Sequence, residues 1–159
     1  MNLILAVLLA AATPSVIKTA KITSETTYYD RKEGIACFRG NVFVDDSEYQ
    51  LHADRAYVFM DGTNELRRIV AIGNVAMTNG TKRAYGAKAS YYREPGMVVL
   101  YAGDDMPAEV SDETAQGPQT VRGKKIKFWT GTEQVEVLES ELIAPRQGGI
   151  GGLKGMIGR

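Results

Sequence analysis

Between Lys21 and Ala144 the chain consists of short segments rich in Val, Ile, Tyr and Phe, in which apolar and polar positions often alternate. A period of two residues predicts strands, and no stretch of a dozen residues shows the helical period. Turn-forming residues separate the segments: Lys32-Glu33-Gly34, Asp45-Asp46-Ser47, Asp61-Gly62, Asn79-Gly80, Glu94-Pro95-Gly96 and Thr130-Gly131. Short strands with frequent turns predict an all-β fold, either an antiparallel sandwich, a jelly roll or a related sheet.

The strand pattern is repeated along the chain. Arg39-Gly40-Asn41-Val42-Phe43-Val44 returns 33 residues later as Ile72-Gly73-Asn74-Val75-Ala76-Met77. A second segment, 51–59, matches 84–92, and a third version of it spans 121–129. The chain is therefore predicted to contain a recurring strand unit rather than unrelated strands.

The spacing between the second and third versions is longer, at 37 residues instead of 33. The extra residues fall in the acidic and polar stretch 104–119, where Gln116-Gly117-Pro118 also disfavours regular structure. This stretch is predicted to be a loop insertion.

Each unit also contains a step that breaks strict alternation. Ala53 and Ala56 are three residues apart, and the same step separates Gly86 from Ala89 and Gly123 from Ile126. A β-bulge or corner at this point would keep small and apolar residues inside on both sides of the bend. The corner places three basic residues on the outer face: Arg55, Lys88 and Lys125.

The Gly-Asn-Val segments share a set of apolar positions on one face. Ala36, Phe38, Val42 and Val44 in the first copy match Ile69, Ala71, Val75 and Met77 in the second. These eight positions predict one continuous apolar stripe.

The two ends of the chain differ from the strand region. Leu3 to Ala12 is an apolar run of ten residues, shorter than the ~20 that a bilayer requires. The run predicts a signal peptide at 1–12, a linker at 13–20 and export to the periplasm. A short buried element and an uncleaved membrane anchor are the alternatives. Residues 145–159 are rich in glycine and predict a flexible tail after a domain at 21–144.

Composition excludes several kinds of chemistry. The net charge is zero, so no basic excess indicates nucleic acid as a partner. With one cysteine, Cys37, and one histidine, His52, the usual nucleophile and metal-ligand sets are incomplete, and we expect no enzyme, metal site or cofactor. The acidic stretch around Asp104-Asp105 lacks the spacing of a calcium loop.

The repeated Gly-Asn-Val, followed by Leu51-His52-Ala53-Asp54 and a strand containing tyrosine, resembles the organic-solvent-tolerance-like (OstA-like) family. The resemblance covers the chain from about Ile22 to Ala144. Two departures concern the later units: Gly103-Asp104-Asp105 stands for the third Gly-Asn-Val, and Gly86-Ala87 replaces Ala-Asp.

The resemblance implies an open, twisted β-jelly roll of consecutive antiparallel strands in repeated units, folded like a taco shell. Its apolar groove would shield the acyl chains of lipopolysaccharide during transfer from the inner to the outer membrane. The partners would be lipopolysaccharide, other components of the transport bridge, and further copies of the chain joined through terminal edge strands.

This interpretation assigns two sets of residues. The groove would be lined by Ala36, Phe38, Val42, Val44, Leu51, Ala53, Ala56, Val58, Ile69, Ala71, Val75, Met77, Ala89, Tyr91, Ile126 and Phe128. Lipid phosphates near its rim would meet Arg67, Arg68, Lys82, Arg83, Lys124 and Lys125. Two alternatives remain: a structural β-module that binds proteins through its sheet edges, and a membrane-anchored member of the same transport system.

Overall fold

The computed structural model describes residues 21–45, 50–63, 65–129, 132 and 134–145, and every regular element in these ranges is a strand. The strands are β1 (Lys21–Thr23), β2 (Thr26–Asp30), β3 (Ile35–Asp45), β4 (Gln50–Met60), β5 (Leu66–Asn79), β6 (Lys82–Tyr92), β7 (Met97–Tyr101), β8 (Ala108–Thr114), β9 (Gly117–Gly123), β10 (Lys125–Trp129), β11 (Val135–Leu138) and β12 (Glu141–Ile143). The predicted signal peptide, the linker and the tail beyond Pro145 lie outside the described residues.

The twelve strands form one antiparallel sheet that divides into two walls. The long strands β3 to β6 cross from one wall to the other, and each contributes one half to each wall. In wall A the strands lie in the order β1, β3, β4, β5, β6, β8, β9 and β12. Here β3 contributes residues 42–45 and β6 contributes residues 82–86. Wall B contains β2, the other halves of β3 to β6, then β7, β10 and β11.

The two walls meet at a line of corners that we call the crease. The strand register shifts between Arg39 and Val42, between His52 and Arg55, and between Ile72 and Val75. These shifts confirm the predicted bulge in each unit, since Ala53, Ala56, Gly86 and Ala89 are all buried. In the third unit the strand is interrupted at Lys124, between β9 and β10, and Gly123 and Ile126 are buried on either side.

The turns between strands form two rims opposite the crease. The predicted turns at Lys32-Glu33-Gly34, Asp61-Gly62 and Glu94-Pro95-Gly96 lie at the rim of wall B, and Asn79-Gly80 lies at the rim of wall A. The inner faces of both walls contribute to a single apolar cluster. The sheet is therefore folded along the crease, and we call the space between its inner faces the trough.

The prediction of a long loop at 104–119 is wrong. Only Ala102 to Pro107 is irregular; β8 and β9 follow as a hairpin with a short turn at Ala115-Gln116. The hairpin pairs with β6 and extends wall A. Its sequence is polar because the outward positions face water, while Ala108 and Val110 alternate with them and pack on the apolar cluster.

Candidate functional site

Four rows of inward side chains cross the trough, two on each wall. On wall B the row beside the crease contains Phe38, Ala56, Ala71, Ala89, Leu100, Ile126 and Val137, and the next row contains Tyr29, Ala36, Val58, Ile69, Tyr91, Val98, Phe128 and Val135. On wall A the corresponding rows contain Val42, Ala53, Val75 and Ala108, and then Ile22, Val44, Leu51, Met77, Ala84, Val110, Val121 and Leu142. The residues come from every strand, so the lining runs from one end of the sheet to the other.

These four rows contain no charged side chain in the described part of the chain. Their polar atoms are mainly hydroxyls, among them that of Tyr29, which is buried and has no hydrogen-bond partner among the described residues. A long uncharged surface of this kind favours aliphatic ligands, because burial of apolar area is its main source of binding free energy.

Burial within the trough decreases away from the crease. In the crease rows Leu100 and Ile126 are 0% exposed, and Val42 and Val75 are 1% exposed. In the outer rows Ile69, Met77, Tyr91, Val110 and Phe128 are only partly buried, although they pack on the same cluster. The other apolar residues of these rows are buried: Ala36, Val44, Leu51, Val58, Ala84 and Val98. The crease rows therefore form a packed floor, and the outer rows present apolar surface between the rims.

The lining is also exposed where the sheet ends. Val135 on β11 is 59% exposed and Leu142 on β12 is 54% exposed, although both continue inward rows. No strand in the described part of the chain pairs with the free edges of β11, β12, β1 or β2. The trough is thus open at its ends as well as between its rims.

The crease has a repeated construction. Gly40 and Asn41 both have positive φ, of 80° and 44°, and Gly73 and Asn74 follow with 83° and 47°. Glycine and asparagine are the residues that adopt this left-handed conformation most readily. The two consecutive residues with positive φ bend β3, and likewise β5, from one wall to the other.

A carboxylate braces each Gly-Asn corner: that of Glu25, in the link between β1 and β2, and that of Asp54, on β4. The Asn41 amide donates to Glu25 at 2.8 Å, and the Asn74 amide donates to Asp54 at 3.0 Å. A Cβ on Gly40 or Gly73 would overlap that same carboxylate. The two glycines are therefore required both by backbone conformation and by the close approach of the brace.

At the end of the crease beside β11 and β12, a glutamate with positive φ takes the place of the Gly-Asn pair. Glu139 has a φ of 52° between β11 and β12, and its carboxylate accepts a hydrogen bond from the Lys124 ammonium at 2.9 Å. A cavity of about 420 Å³ opens beside this corner, between the 102–107 loop and residues 122–124. The cations of the cavity are already paired, because Arg122 also contacts Glu109 at 2.6 Å.

The structure places all sixteen predicted groove residues in one apolar cluster. Twelve are buried, and four are partly buried and pack against them: Ile69, Met77, Tyr91 and Phe128. Their contact with lipid stays a prediction. Sequence reasoning missed five further buried members of the cluster: Met60, Leu66, Ala84, Leu100 and Ala108. Leu100 was detectable from the apolar run of β7, which lies outside the repeat unit.

The structure does not bring the six predicted phosphate-binding residues together. Lys82 lies at the rim of wall A on the inward side, and Arg67 lies at the rim of wall B beside the irregular pairing of Leu66. Arg68, Arg83 and Lys125 each alternate with an inward residue and therefore face outward. Lys124 lies at the crease, paired with Glu139.

Other charges at the rim of wall B are neutralised locally. Arg93 donates to Glu65 at 2.7 Å, and this hydrogen bond raises the pKa of the guanidinium above its ordinary value. The Thr63 hydroxyl and the backbone N–H groups of Glu65 and Thr63 lower the pKa of Asp61. The Glu109 hydrogen bond similarly raises the pKa of Arg122 on wall A.

The remaining candidate residues have ordinary surroundings. His52 is exposed on the outer face, as expected, with its ring centroid 4.5 Å from that of Phe43. Cys37 is buried and free. Within the described ranges, no three or more His, Cys, Asp and Glu side chains are grouped so as to hold a metal ion. Nor do those ranges contain a helix long and apolar enough to cross a membrane.

Comparison with known proteins gives a matching family and matching solved structures. The sequence model of a family described as LptA/(LptD N-terminal domain) LPS transport protein matches residues 21–134. Among solved structures, the chain is similar to LptH, the LptA-homologous periplasmic component of the lipopolysaccharide transport device of Pseudomonas aeruginosa, with a TM-score of 0.68 and 18% sequence identity. That likeness covers 80% of this chain and 95% of LptH. No curated protein sequence matches the chain.

Proposed function

The chain belongs to the LptA and LptD N-terminal domain family of lipopolysaccharide-transport proteins, and from this premise we propose that it shields the acyl chains of lipopolysaccharide within its trough. It acts in the periplasm, during transfer from the inner to the outer membrane. The observation that carries the proposal is the uncharged lining, which is continuous across all the strands and partly exposed between the rims.

The gradient of burial supports a carrier rather than a permanent binding site. Each buried methylene contributes ~0.8 kcal/mol, so several fully enclosed acyl chains would exceed the practical limit of roughly −20 kcal/mol for non-covalent binding. In this trough the floor is packed, and a ligand reaches mainly the outer rows, such as Met77 and Phe128. Partial enclosure of this kind permits release.

The headgroup would lie at the rims, where the charged residues begin. Lys82 and Arg67 are exposed there, and neither belongs to an ion pair in the described part of the chain. Both are therefore free to meet lipid phosphates, as part of the same proposal.

Photo-crosslinking tests the proposal with a matched pair of positions on β5. Met77 faces the trough, whereas Ile72 faces outward and is 38% exposed. With p-benzoylphenylalanine at each position in cells, we expect an adduct with lipopolysaccharide from Met77 and none from Ile72. Phe128 and its outward neighbour Lys127 form a second pair on β10. Adducts from only the outward positions would contradict the proposal.

A second function is favoured by the exposed apolar side chains of the last two strands. Val135, Leu138, Leu142 and Ile143 are all exposed, beside edges whose N–H and C=O groups are free to pair with another chain. Such edges would join copies of this chain, or join it to other bridge components. A scaffolding module would need only these edges; delipidated protein that binds no lipopolysaccharide yet self-associates would favour that function over transport.

A further inference from the structure

The outer face of wall B carries an unusual row of side chains next to its rim. One residue from each of six neighbouring strands contributes, and cross-strand pairing places them side by side: Ile35, Phe59, Arg68, Tyr92, Met97 and Trp129. All six are partly buried, although they face away from the trough. The row is apolar and aromatic except for Arg68, whose guanidinium lies 5.0 Å from the centre of the Tyr92 ring.

A second row, made mainly of basic side chains, lies beside the crease on the same outer face. It contains Arg39, Arg55, Ile72, Lys88, Tyr101 and Lys125. The ammonium groups of Lys88 and Lys125 lie 5.2 and 5.4 Å from the centre of the Tyr101 ring. Four cations therefore follow the crease in parallel with the aromatic row.

The row between the aromatic row and the cationic row contains side chains that are almost fully buried. Ser90 is 0% exposed, Val99 2% and Val70 7%, on the face opposite the trough. Arg68 extends across Ser90, with 3.5 Å between its Nη2 and the Ser90 hydroxyl oxygen. The same row also contains Tyr57 and Lys127. It separates the aromatic row from the cationic row, and these two rows lie ~14 Å apart on a face ~24 Å wide, from the usual strand geometry.

The charge of this face is not balanced, although the chain as a whole has a net charge of zero. Six basic side chains (Arg39, Arg55, Arg68, Lys88, Lys125 and Lys127) share this face with two acidic ones, Asp30 and Glu136. Two further exposed carboxylates, Glu25 and Asp54, lie at the crease beside it and accept hydrogen bonds from Asn41 and Asn74. Of the six basic side chains, only Lys127 has a carboxylate partner within the described residues. The outer face of wall A has no basic excess, with Lys21, Arg83 and Arg122 against Asp45, Glu109, Glu113 and Glu141.

We propose that the outer face of wall B docks on the surface of an anionic phospholipid bilayer. Aromatic side chains favour the boundary between headgroups and acyl chains, and basic side chains are attracted to acidic headgroups. The two parallel rows present both kinds of contact on one side of the sheet.

This inference goes beyond the transport function proposed above. It depends on the outer face of wall B, whereas the transport function depends on the inner faces that line the trough. The trough can bind acyl chains whether or not wall B meets a membrane. Vesicles that contain no lipopolysaccharide therefore test the outer face alone, while crosslinking from Met77 tests the trough alone.

The chain contains its own reporter for the test. Trp129 is its one tryptophan and belongs to the aromatic row. The purified full chain is mixed with vesicles of phosphatidylcholine and phosphatidylglycerol at seven to three, by moles, and with vesicles of phosphatidylcholine alone. We expect the Trp129 emission to shift to the blue, and to be quenched by brominated acyl chains, only with the acidic vesicles.

A charge variant and a matched control locate the contact. Arg39→Gln/Arg55→Gln/Lys88→Gln removes three cations from the face, whereas Lys21→Gln/Arg83→Gln/Arg122→Gln removes three cations from the outer face of wall A. A basic residue near an acidic membrane strengthens binding about fivefold, so the first variant should bind acidic vesicles about a hundredfold more weakly. The control should lose less than about fivefold.

Three results would overturn the proposal: unchanged Trp129 emission with acidic vesicles, equal binding to both kinds of vesicle, or equal losses in the two variants. A soluble poly-glutamate that shifts the Trp129 emission when vesicles do not would assign the face to an acidic protein instead. Trp129 quenching also separates this contact from any vesicle binding by the apolar run at 3–12, since that run has no tryptophan.

Discussion

At the scale of single residues, the fold depends on two adjacent positions that are repeated along the chain. Gly40-Asn41 and Gly73-Asn74 turn the backbone with positive φ, and a carboxylate from an adjacent segment of the chain approaches each glycine closely. The Gly-Asn pairs are visible in the sequence because they recur. The carboxylates that brace them cannot be identified from the sequence, because Glu25 lies 16 residues from Asn41 and Asp54 lies 20 residues from Asn74. Only the strand pairing determines which carboxylate reaches which corner.

Gly73→Ala should destabilise the protein more than an ordinary substitution of a glycine with positive φ. A left-handed conformation costs an L-residue roughly 1–2 kcal/mol, and the new Cβ would also displace the Asp54 carboxylate that holds Asn74. We expect the free energy of unfolding to fall by about 3 kcal/mol, measured by urea denaturation.

Gly80→Ala is the matched control for this prediction. Gly80 also has a positive φ, of 58°, but no atom lies within 4 Å of the position that its Cβ would occupy. It should therefore show the conformational cost alone, about 1 kcal/mol. Equal losses for the two variants would show that the carboxylate brace is not important.

At the scale of strands, prediction succeeded where the repeat constrained it and failed elsewhere. The repeated segments became β3 to β6 and the β9–β10 pair, with their bulges at the expected steps. The sequence pattern predicts a loop where the β8–β9 hairpin lies, because the polar outward residues and Pro118 conceal the alternation of Ala108, Val110 and Val121. In an isolated sequence, polarity on an outward face cannot be distinguished from the polarity of a loop.

The two last strands provide a test at this scale. If copies join by strand addition, Val135 and Leu142 become covered by the next copy, because they continue the inward rows beyond the present edge. Burial of each valine or leucine contributes ~1.5 kcal/mol or more. Val135→Lys/Leu142→Lys should therefore weaken self-association about a hundredfold, measured by analytical ultracentrifugation.

Leu138→Lys is the comparison for the edge test. Leu138 is on β11 and is 56% exposed, but it faces outward and would stay in water after strand addition. It should weaken association by less than about tenfold. A larger effect from Leu138→Lys than from the inward pair would place the contact on the outer surface instead of the edge.

At the scale of the whole molecule, the inward residues were predictable and the outward charges were not. Alternation and the corner step identify which side chains share the trough, because burial imposes a pattern on each strand separately. The charge difference between the two outer faces arises across strands: Arg39, Arg55, Lys88 and Lys125 come from four different strands and become neighbours only through pairing.

Binding of acyl chains should raise the thermal stability of the whole sheet, since ligand contacts would span both walls. At a free ligand concentration of about 100 times the dissociation constant, the stabilisation is ~2.7 kcal/mol, or about 10 °C in Tm for a domain of this size. Delipidated protein heated with lipopolysaccharide should show this increase by differential scanning calorimetry. Deacylated lipopolysaccharide, which keeps its phosphates and sugars, should leave Tm within about 2 °C.

The braced corner has a geometric consequence for how proteins of this architecture vary in size. Each wall contains eight strands at a spacing of ~4.8 Å, so the trough is ~34 Å long. A unit of 33 residues, such as that from Arg39 to Ala71, contains two wall-crossing strands, and one further unit would lengthen the trough by ~10 Å without changing its width. The length of such a protein therefore increases in steps, one for each added repeat, while its cross-section is set at each corner by the Gly-Asn pair and the carboxylate that braces it.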